Sequence, residues 1–325
     1  MTSRNLSASA TGCTGIISIE VNEAYSTLSS NAVIECNSST LSLGSTVNIT
    51  MGYEGDTAAF NGYLVKKITR LRPENTYRID CNDVLVRAID YFMAADDPEA
   101  PFQRNNISSL NLVRDLLAEA GITNVTSVEP GPAVFTWGTN EDGARFNLQS
   151  VADAIQFIAQ ITGNTIYADS SGTVQFVARK PYVDVGDVSS GTITTGNDED
   201  LIDVEHMTSN SKIRNRVVVY GRGTLKATRS ASSPYLVVDQ SIAVAHELLD
   251  TQAICDGTAE VNLALLNRLE ESYSLTIQGI TSLRARQVWT LDESFVGASN
   301  RDVFLYSVSH SFSESGYQQR ITATP

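Results

Sequence analysis

Apolar and polar residues alternate from Thr14 to Asp83, the period of two that predicts β-strands. The runs GIISIEV, NAVIEC, STVNITM, FNGYLVKKITRL and TYRIDC each suit a strand. Breaks fall at Ser29-Ser30-Asn31, Gly44, Gly55-Asp56 and Pro73-Glu74-Asn75. Five antiparallel strands of this length close into a small barrel or a tight sandwich. From Asp83 to Met93 the spacing becomes helical, with Val84, Ala88, Tyr91 and Phe92 on one side and Asp83 able to cap the start. Residues 1–12, small and polar, read as disordered until they meet a partner.

Past the breakers Asp96-Asp97-Pro98 and Pro101 the helix period takes over. Ser109 to Ala120 puts Leu110, Val113, Leu117 and Ala120 on one face and stops at Gly121. Leu148 to Thr162 does the same with Val151, Ile155, Ile158 and Ile161, ending at Gly163. NTIYADSSGTVQFVARK then predicts a hairpin turning at Ser170-Ser171-Gly172. Strand text returns near Ile202. IRNRVVVYG and YLVVDQS read as strands, Thr258 to Glu271 as an amphipathic helix, and YSLTIQGI, LRARQVWTL, DVFLYSVSHSF and YQQRITA as closing strands. The class expected is α+β, mainly β: two antiparallel β-barrel modules, 1–95 (with its following helix) and 197–325, around a small α/β domain inserted at 96–196. The last strand needs a partner or a closed barrel to cover its edge.

Two stretches match. Phe60–Asp80 and Val303–Thr322 each contain Tyr-x-Val (Tyr63 and Val65; Tyr306 and Val308), a polar turn, and a return strand ending in Arg-Ile (Arg78-Ile79; Arg320-Ile321). Tyr63 precedes Ile79 by 16 positions and Tyr306 precedes Ile321 by 15, so the copies differ by one turn residue. Each follows another strand-like run, STVNITMGYEGD and ARQVWTLDESFVGAS. Unrelated long hairpins share alternation and turn chemistry too, but the common order predicts one β-module used twice.

At 325 residues the chain exceeds the usual size of one hydrophobic core, and 42% apolar residues suffice to fill several. The net charge of −14 and pI near 4.6 argue against a duplex nucleic acid ligand, which needs a concentrated Lys/Arg surface. No stretch approaches the ~20 apolar residues of a membrane span, and MTSRNLSASATG has no hydrophobic signal core. Synthesis and folding in a cytoplasm are expected. The Asn-x-Ser/Thr matches at Asn5, Asn37, Asn48, Asn106 and Asn124 then follow from composition, and Cys13, Cys36, Cys81 and Cys255, with no C-x-x-C pair, read as free thiols.

Candidate chemistry is sparse. His246-Glu247-Leu248-Leu249-Asp250 misses the zinc-protease pattern by its last residue, and no further ligand set follows. Tyr220-Gly221-Arg222-Gly223 lacks the third glycine and the helix of a dinucleotide loop. Asn197-Asp198-Glu199-Asp200 and Asp96-Asp97-Pro98-Glu99 lack calcium-loop spacing and read as charged linkers. No G-x-S-x-G turn occurs, and three histidines offer few bases. Accordingly no residue is assigned a catalytic, cofactor-binding or metal-binding role, and no cofactor is expected. The alternative is a carbohydrate-binding or glycan-cleaving protein using carboxylates such as Asp169, Asp292 and Glu293, with Trp137, Trp289 and nearby tyrosines as sugar platforms.

The order of Gly52-Tyr53 to Phe60-Asn61-Gly62 (GY-x-G-x-x-x-x-F-x-G), the strand Tyr77 to Asp83 ending in an acid, a helix, and SLNLVRDLLAEAGI resembles the tail late control protein D family. FNLQSVADAIQFIAQITGNTIYADSSGTVQFVARK, a helix, a strand, an Asp-x-x-Gly turn and a Val-x-Phe strand, resembles it as well. The likeness covers most of residues 15–325. That family includes phage baseplate hubs and the hub-like part of type VI secretion spike proteins. The resemblance implies tube-like barrels, two per chain, in a homotrimeric, pseudo-sixfold ring that joins the tail tube to a threefold spike in a phage or related contractile injection machine. Implied partners are further copies of the chain, tail tube or terminator-side ring proteins, the central spike and the surrounding baseplate wedge. DNA would pass without specific binding, no membrane insertion is implied, and the place is the virion baseplate. Ending at Pro325, the chain would leave wall digestion to a separate protein, and no enzymatic activity is expected.

Overall fold

The computed structural model describes residues 5–72, 75–93, 97, 99–127, 135–139, 143–178, 181–195 and 201–325. The protein is α+β and mainly β. Twelve strands form one large sheet: β1 (Leu6–Ala10), β2 (Cys13–Ala24), β3 (Asn31–Ser39), β4 (Thr46–Tyr53), β5 (Asp56–Leu71), β6 (Thr76–Asn82), β7 (Thr192–Thr194), β8 (Leu201–Ser209), β9 (Glu270–Gln278), β10 (Val288–Glu293), β11 (Ala298–Ser313) and β12 (Gly316–Thr324). Hydrogen-bonded neighbours run β1-β4-β5-β6-β3-β2-β11-β12-β9-β8, while β10 lies beside β11 and carries β7. The first half therefore reads 1-4-5-6-3-2 and the second 7-10-11-12-9-8. Adding six to each strand number of the first half produces the second. One difference is that β1 is antiparallel to β4 whereas β7 is parallel to β10.

Register makes the likeness quantitative. The β2–β3 ladder breaks between Ile16 and Ser18, and β8–β9 breaks between Leu201 and Asp203. The β5–β6 ladder breaks between Val65 and Lys67, and β11–β12 between Leu305 and Ser307. From these bulges one cross-strand row, Ile19, Ile34, Ile79 and Ile68, takes the places of Val204, Leu275, Ile321 and Val308. A one-residue slip turns every side chain to the opposite face, so ladders sharing register and bulges share their inward faces. The Arg-Ile match is in register. The Tyr-x-Val match is not: Tyr63 lies five positions before Ile68, but Tyr306 lies two before Val308 and takes the place of bulged Lys66. Beyond these equivalent pairs the β11–β12 hairpin runs two pairs further toward its turn, a length difference that the residue spacing hid.

Among the described residues, apolar side chains gather in three cores. The first module encloses Ile19, Ile34, Val47, Ile49, Met51 and Phe60, and the second Ile193, Tyr273, Leu275, Leu291, Val303 and Leu305. The third core lies among α1 (Val86–Asp90), α2 (Ser109–Glu119), α3 (Val151–Thr162) and α4 (Gln252–Leu266). It is not confined to residues 96–196. Val217, Val219, Leu249, Ile254 and Ala259 belong to it, because α4 packs on α3 and on the strands Arg216–Tyr220 and Lys226–Ser230. Ser108 and Ser150 cap α2 and α3 through their hydroxyls, and Gly163 at φ 69° closes α3.

Four local expectations change. Leu6–Ala10 is a strand because its backbone bonds to Ile49–Tyr53, so the expected disorder of 1–12 fails there; residues 1–4 lie outside the described set. Helix α1 stops at Asp90, since Tyr91 and Met93 bond instead to Val151, Leu148 and Gln149. YLVVDQS forms no strand up to Gln240; Ser233-Pro234 opens a turn and leaves Val237 and Val238 exposed. Helix α4 starts six residues earlier than the expected Thr258 and ends at Leu266, because Glu270 and Glu271 are drawn into the β9 ladder.

Candidate functional site

Ile19, Val21 and Glu23 lie on one face of β2, so the alternation that buries two apolar side chains buries a carboxylate third in line. The edge of β2 pairs with β11 of the other module, with Val21 opposite His310 and Glu23 opposite Val308. His310 is wholly buried and Glu23 is 8% exposed. The His310 Nδ1 lies 2.9 Å from both the Tyr317 hydroxyl and the Gln319 Nε2, while its Nε2 faces Glu23 Oε2 at 3.4 Å. An accepting Nδ1 places the imidazole proton on Nε2, toward the carboxylate. Gln319 is fixed in turn, accepting from the Ile280 N–H at 2.8 Å and donating to its carbonyl at 2.9 Å.

Two arginines from the turn before β10 complete the joint. Arg284 donates to the carbonyl of Ala59 at 3.2 Å and lies over the Phe60 ring, 4.4 Å from its centroid. Arg286, held at φ 73°, donates to the carbonyl of Ala24 at 2.7 Å and lies 4.1 Å over Tyr167. Thr281 also bonds to Asp56 across the modules. Burial alone would raise the Glu23 carboxyl, but His310, Arg284 and Arg286 hold it below its ordinary value. Burial pushes the His310 imidazole down despite Glu23, so His310 is neutral near pH 7. Burial also raises Asp83 to about 6, although its carboxylate accepts from the N–H groups of Ser30 (2.7 Å) and Leu85 (3.0 Å).

A His, Glu and Tyr within reach of one another could move protons, but a wholly enclosed imidazole admits no substrate. What this arrangement can do is fix two modules in one register, since a slip would part Glu23 from the facing His310 ring and break the arginine bonds to the Ala24 and Ala59 carbonyls. Sequence reading passed over Glu23, Arg284 and Arg286. The available signal was an acid in phase with Ile19 and Val21, and an Arg-x-Arg pair ahead of a strand.

Some sequence candidates share one cavity of about 260 Å³, lined by Trp137, Arg222, His246, Glu247 and Asp250, while Asp169, Asp292, Glu293 and Trp289 lie outside it. His246 to Asp250 is a turn ahead of α4, so His246 and Asp250 are not one helical turn apart. The His246 ring lies against Phe157 at 3.8 Å between centroids, and its Nδ1 accepts from the Leu248 N–H at 3.1 Å. Gly221 packs against the Leu249 carbonyl in a hairpin, with no helix after it. Asp169 accepts from Ser171, Thr173 and Gln175 within its own turn. Asp292 accepts from Asn300, and Glu293 from Thr195 and Phe295. Trp137 (1% exposed) and Trp289 (4%) have their indole N–H groups bonded to Ser109 and Gln287, so neither presents a ring face to a sugar. Residues 197–200, Asp96 and Pro98 lie outside the described residues. Among the described residues the four cysteines are free and no three His, Cys, Asp or Glu side chains gather as metal ligands.

No family model and no curated protein matches the sequence. Solved structures do. The chain is similar to a tail protein from Neisseria meningitidis MC58, with 12% identity, a TM-score of 0.73, and 99% of this chain and 97% of that one covered. It is similar to the 43 kDa tail protein of prophage MuSo2 from Shewanella oneidensis at 13% identity and a TM-score of 0.65, with 98% of each chain covered. An E. coli component of the type VI secretion system, described as structurally similar to the phage T4 tail proteins gp27 and gp5, aligns at 11% identity and a TM-score of 0.62, over 98% of this chain and 76% of that one. The chain thus has the fold of phage tail proteins and of a type VI secretion component.

Proposed function

We propose that the chain is a structural hub of a phage tail baseplate, or of a related contractile injection machine, which forms a trimeric, pseudo-sixfold ring joining the tail tube to a central spike. One observation carries the reading: two modules of the same strand order, sharing register and bulges in the β2–β3–β6–β5 and β8–β9–β12–β11 ladders, follow one another head to tail through the β2–β11 ladder. A head-to-tail contact repeated between chains closes only when its rotation divides a full turn, and two modules per chain reach six positions with three chains. Because the module sequences differ, one ring face can suit a sixfold tube and the other a threefold spike. The similarity in fold to tail proteins supports the same role.

The role is non-enzymatic. Its partners are further copies, tube or terminator-side ring proteins, the spike and the baseplate wedge, and its place is the virion. The inserted segment within residues 96–190 would face outward, since helices and a hairpin in the channel would block it. The net charge of −14 suits a conduit that DNA must not adhere to. Light scattering tests the ring. A mass near three times 35.1 kDa and a central hole in electron micrographs are expected, whereas a stable monomer or twofold dimer refutes the assembly.

A further inference from the structure

The two ends of the module pair are unequal. On β11 one edge is covered twice, by β10 along Ala298–Phe304 and by β2 along Ser307–Ser313. On β5 the equivalent edge is covered by β4 only as far as Leu64, with the turn at Ser45 reaching Val65. Lys67–Leu71, which takes the place of Ser307–Ser311, has no ladder partner on that side among the described residues. At the other end β8 takes the place of β2. It pairs with β9 on one side, and its second edge has no ladder partner among the described residues. The chain therefore carries one copy of a joint made, and the two halves of the same joint unmade.

We infer that β8 of one copy pairs antiparallel with Lys67–Leu71 of a second copy, in the register that β2 uses on β11; this rests on the ring reading above and specifies its seam. Carrying the equivalences across, Glu205 stands opposite Leu71, His206 opposite Arg70, Met207 opposite Thr69, Thr208 opposite Ile68 and Ser209 opposite Lys67, as Glu20 to Ala24 stand opposite Ser311 to Ser307. Burial agrees. Val21, Glu23, Val308 and His310 are buried in the made joint, while His206, Thr208 and Arg70 are exposed and Ile68 is half-buried. Charge agrees as well. The β5 edge carries Lys67 and Arg70, flanked by Lys66 and Arg72, and β8 carries Asp203 and Glu205, so the two edges are opposite in overall sign, although no acid stands directly opposite a base in this register. An open strand with exposed Ile202 and Met207 is otherwise an invitation to indiscriminate pairing, which a specific neighbour removes.

The test uses the full chain with Met207→Cys and Thr69→Cys together, under mild oxidation. Directly opposed strand residues lie within disulfide reach, so covalent dimers and trimers, and none larger, are expected on a non-reducing gel. Each single variant and the wild type should give none. Moving one partner two residues, Met207→Cys with Leu71→Cys, should lower the yield severalfold. Lys67→Glu with Arg70→Glu should weaken the trimer about tenfold in light scattering, and adding Glu205→Lys should restore part of it. A trimer that does not cross-link at 207–69, or cross-links better at 207–71, overturns the seam and leaves the ring standing. A chain that stays monomeric at every concentration overturns both.

Discussion

Glu23→Gln probes the joint with the least change in shape. The substitution keeps the volume and the chance of a hydrogen bond to His310, and removes the negative charge that Arg284 and Arg286 help to hold ionised. Both guanidiniums are half-buried and make their other bonds mainly to carbonyl groups, which do not replace a full counter-charge. Breaking a buried ion pair in direct contact costs ~3–5 kcal/mol. Among the described residues no salt bridge joins Glu23 to either arginine and both keep some solvent, so a smaller loss, ~2 kcal/mol, is expected. For a cooperative unit of 150–250 residues each kcal/mol moves the melting temperature by ~2–4 °C, which predicts a fall of ~4–8 °C. Differential scanning fluorimetry would measure it. Hydrogen exchange should locate the loss at β2–β11 amides, leaving the β4–β5 ladder protected. A second arm removes the stranded cation: Arg286→Met combined with Glu23→Gln should cost at least ~1 kcal/mol less than the two single effects added. A Glu23→Gln protein melting within about 1 °C of wild type, or strict additivity of the pair, would refute the argument that a mutual charge lock sets the joint.

The remaining predictions use the same groups. His310 titrates lower in the folded chain than in the unfolded one, so the folded state binds fewer protons; stability should fall as pH drops through the window just below 6.5, and His310→Gln should flatten that slope in melting curves. Asp83 has the opposite sign: raised from 3.8 to about 6, it contributes stability fully present below pH 3.8 and lost as pH rises through 6, so Asp83→Asn should gain on wild type between pH 4 and pH 7 in the same assay, and an unchanged difference would count against its buried placement. Purified protein should clear neither peptidoglycan nor casein in a zymogram; clearing that disappears in His246→Ala would contradict the structural role. Purified rings should not retain DNA in a filter assay, and tight, salt-sensitive retention would contradict a negatively charged conduit.

Much of the fold is legible along the chain, because local pattern and burial obey the same periodicity. Strands β2 to β6, β9, β11 and β12 lie where alternation predicts them, and α2 and α3 begin at serine caps and end near Gly121 and Gly163. Exceptions occur where long-range bonding outcompetes local preference. Leu6–Ala10 is too small and polar to suggest a strand but gains a full ladder from β4, and YLVV has the propensity without a neighbour to pair with.

The duplication divides in the same way. Arg-Ile at both hairpin ends is a true equivalence written in the sequence, but the matching Tyr-x-Val is a coincidence of alternation, and only bulge positions tell them apart. A bulge is a property of two paired strands, so neither strand's sequence states it. The joint is less legible still. Glu23 and His310 are nearly three hundred positions apart, and each alone is an ordinary polar residue in a strand; packing β2 on β11 encloses them together and makes their charges costly to separate. Sequence by itself determined which segments are strands and helices and which way each buries, because those depend on neighbours one to four residues away. Tertiary structure decided which edge meets which and where charge is enclosed, because hydrogen-bond pairing and desolvation act between segments whose separation along the chain carries no information about their contact.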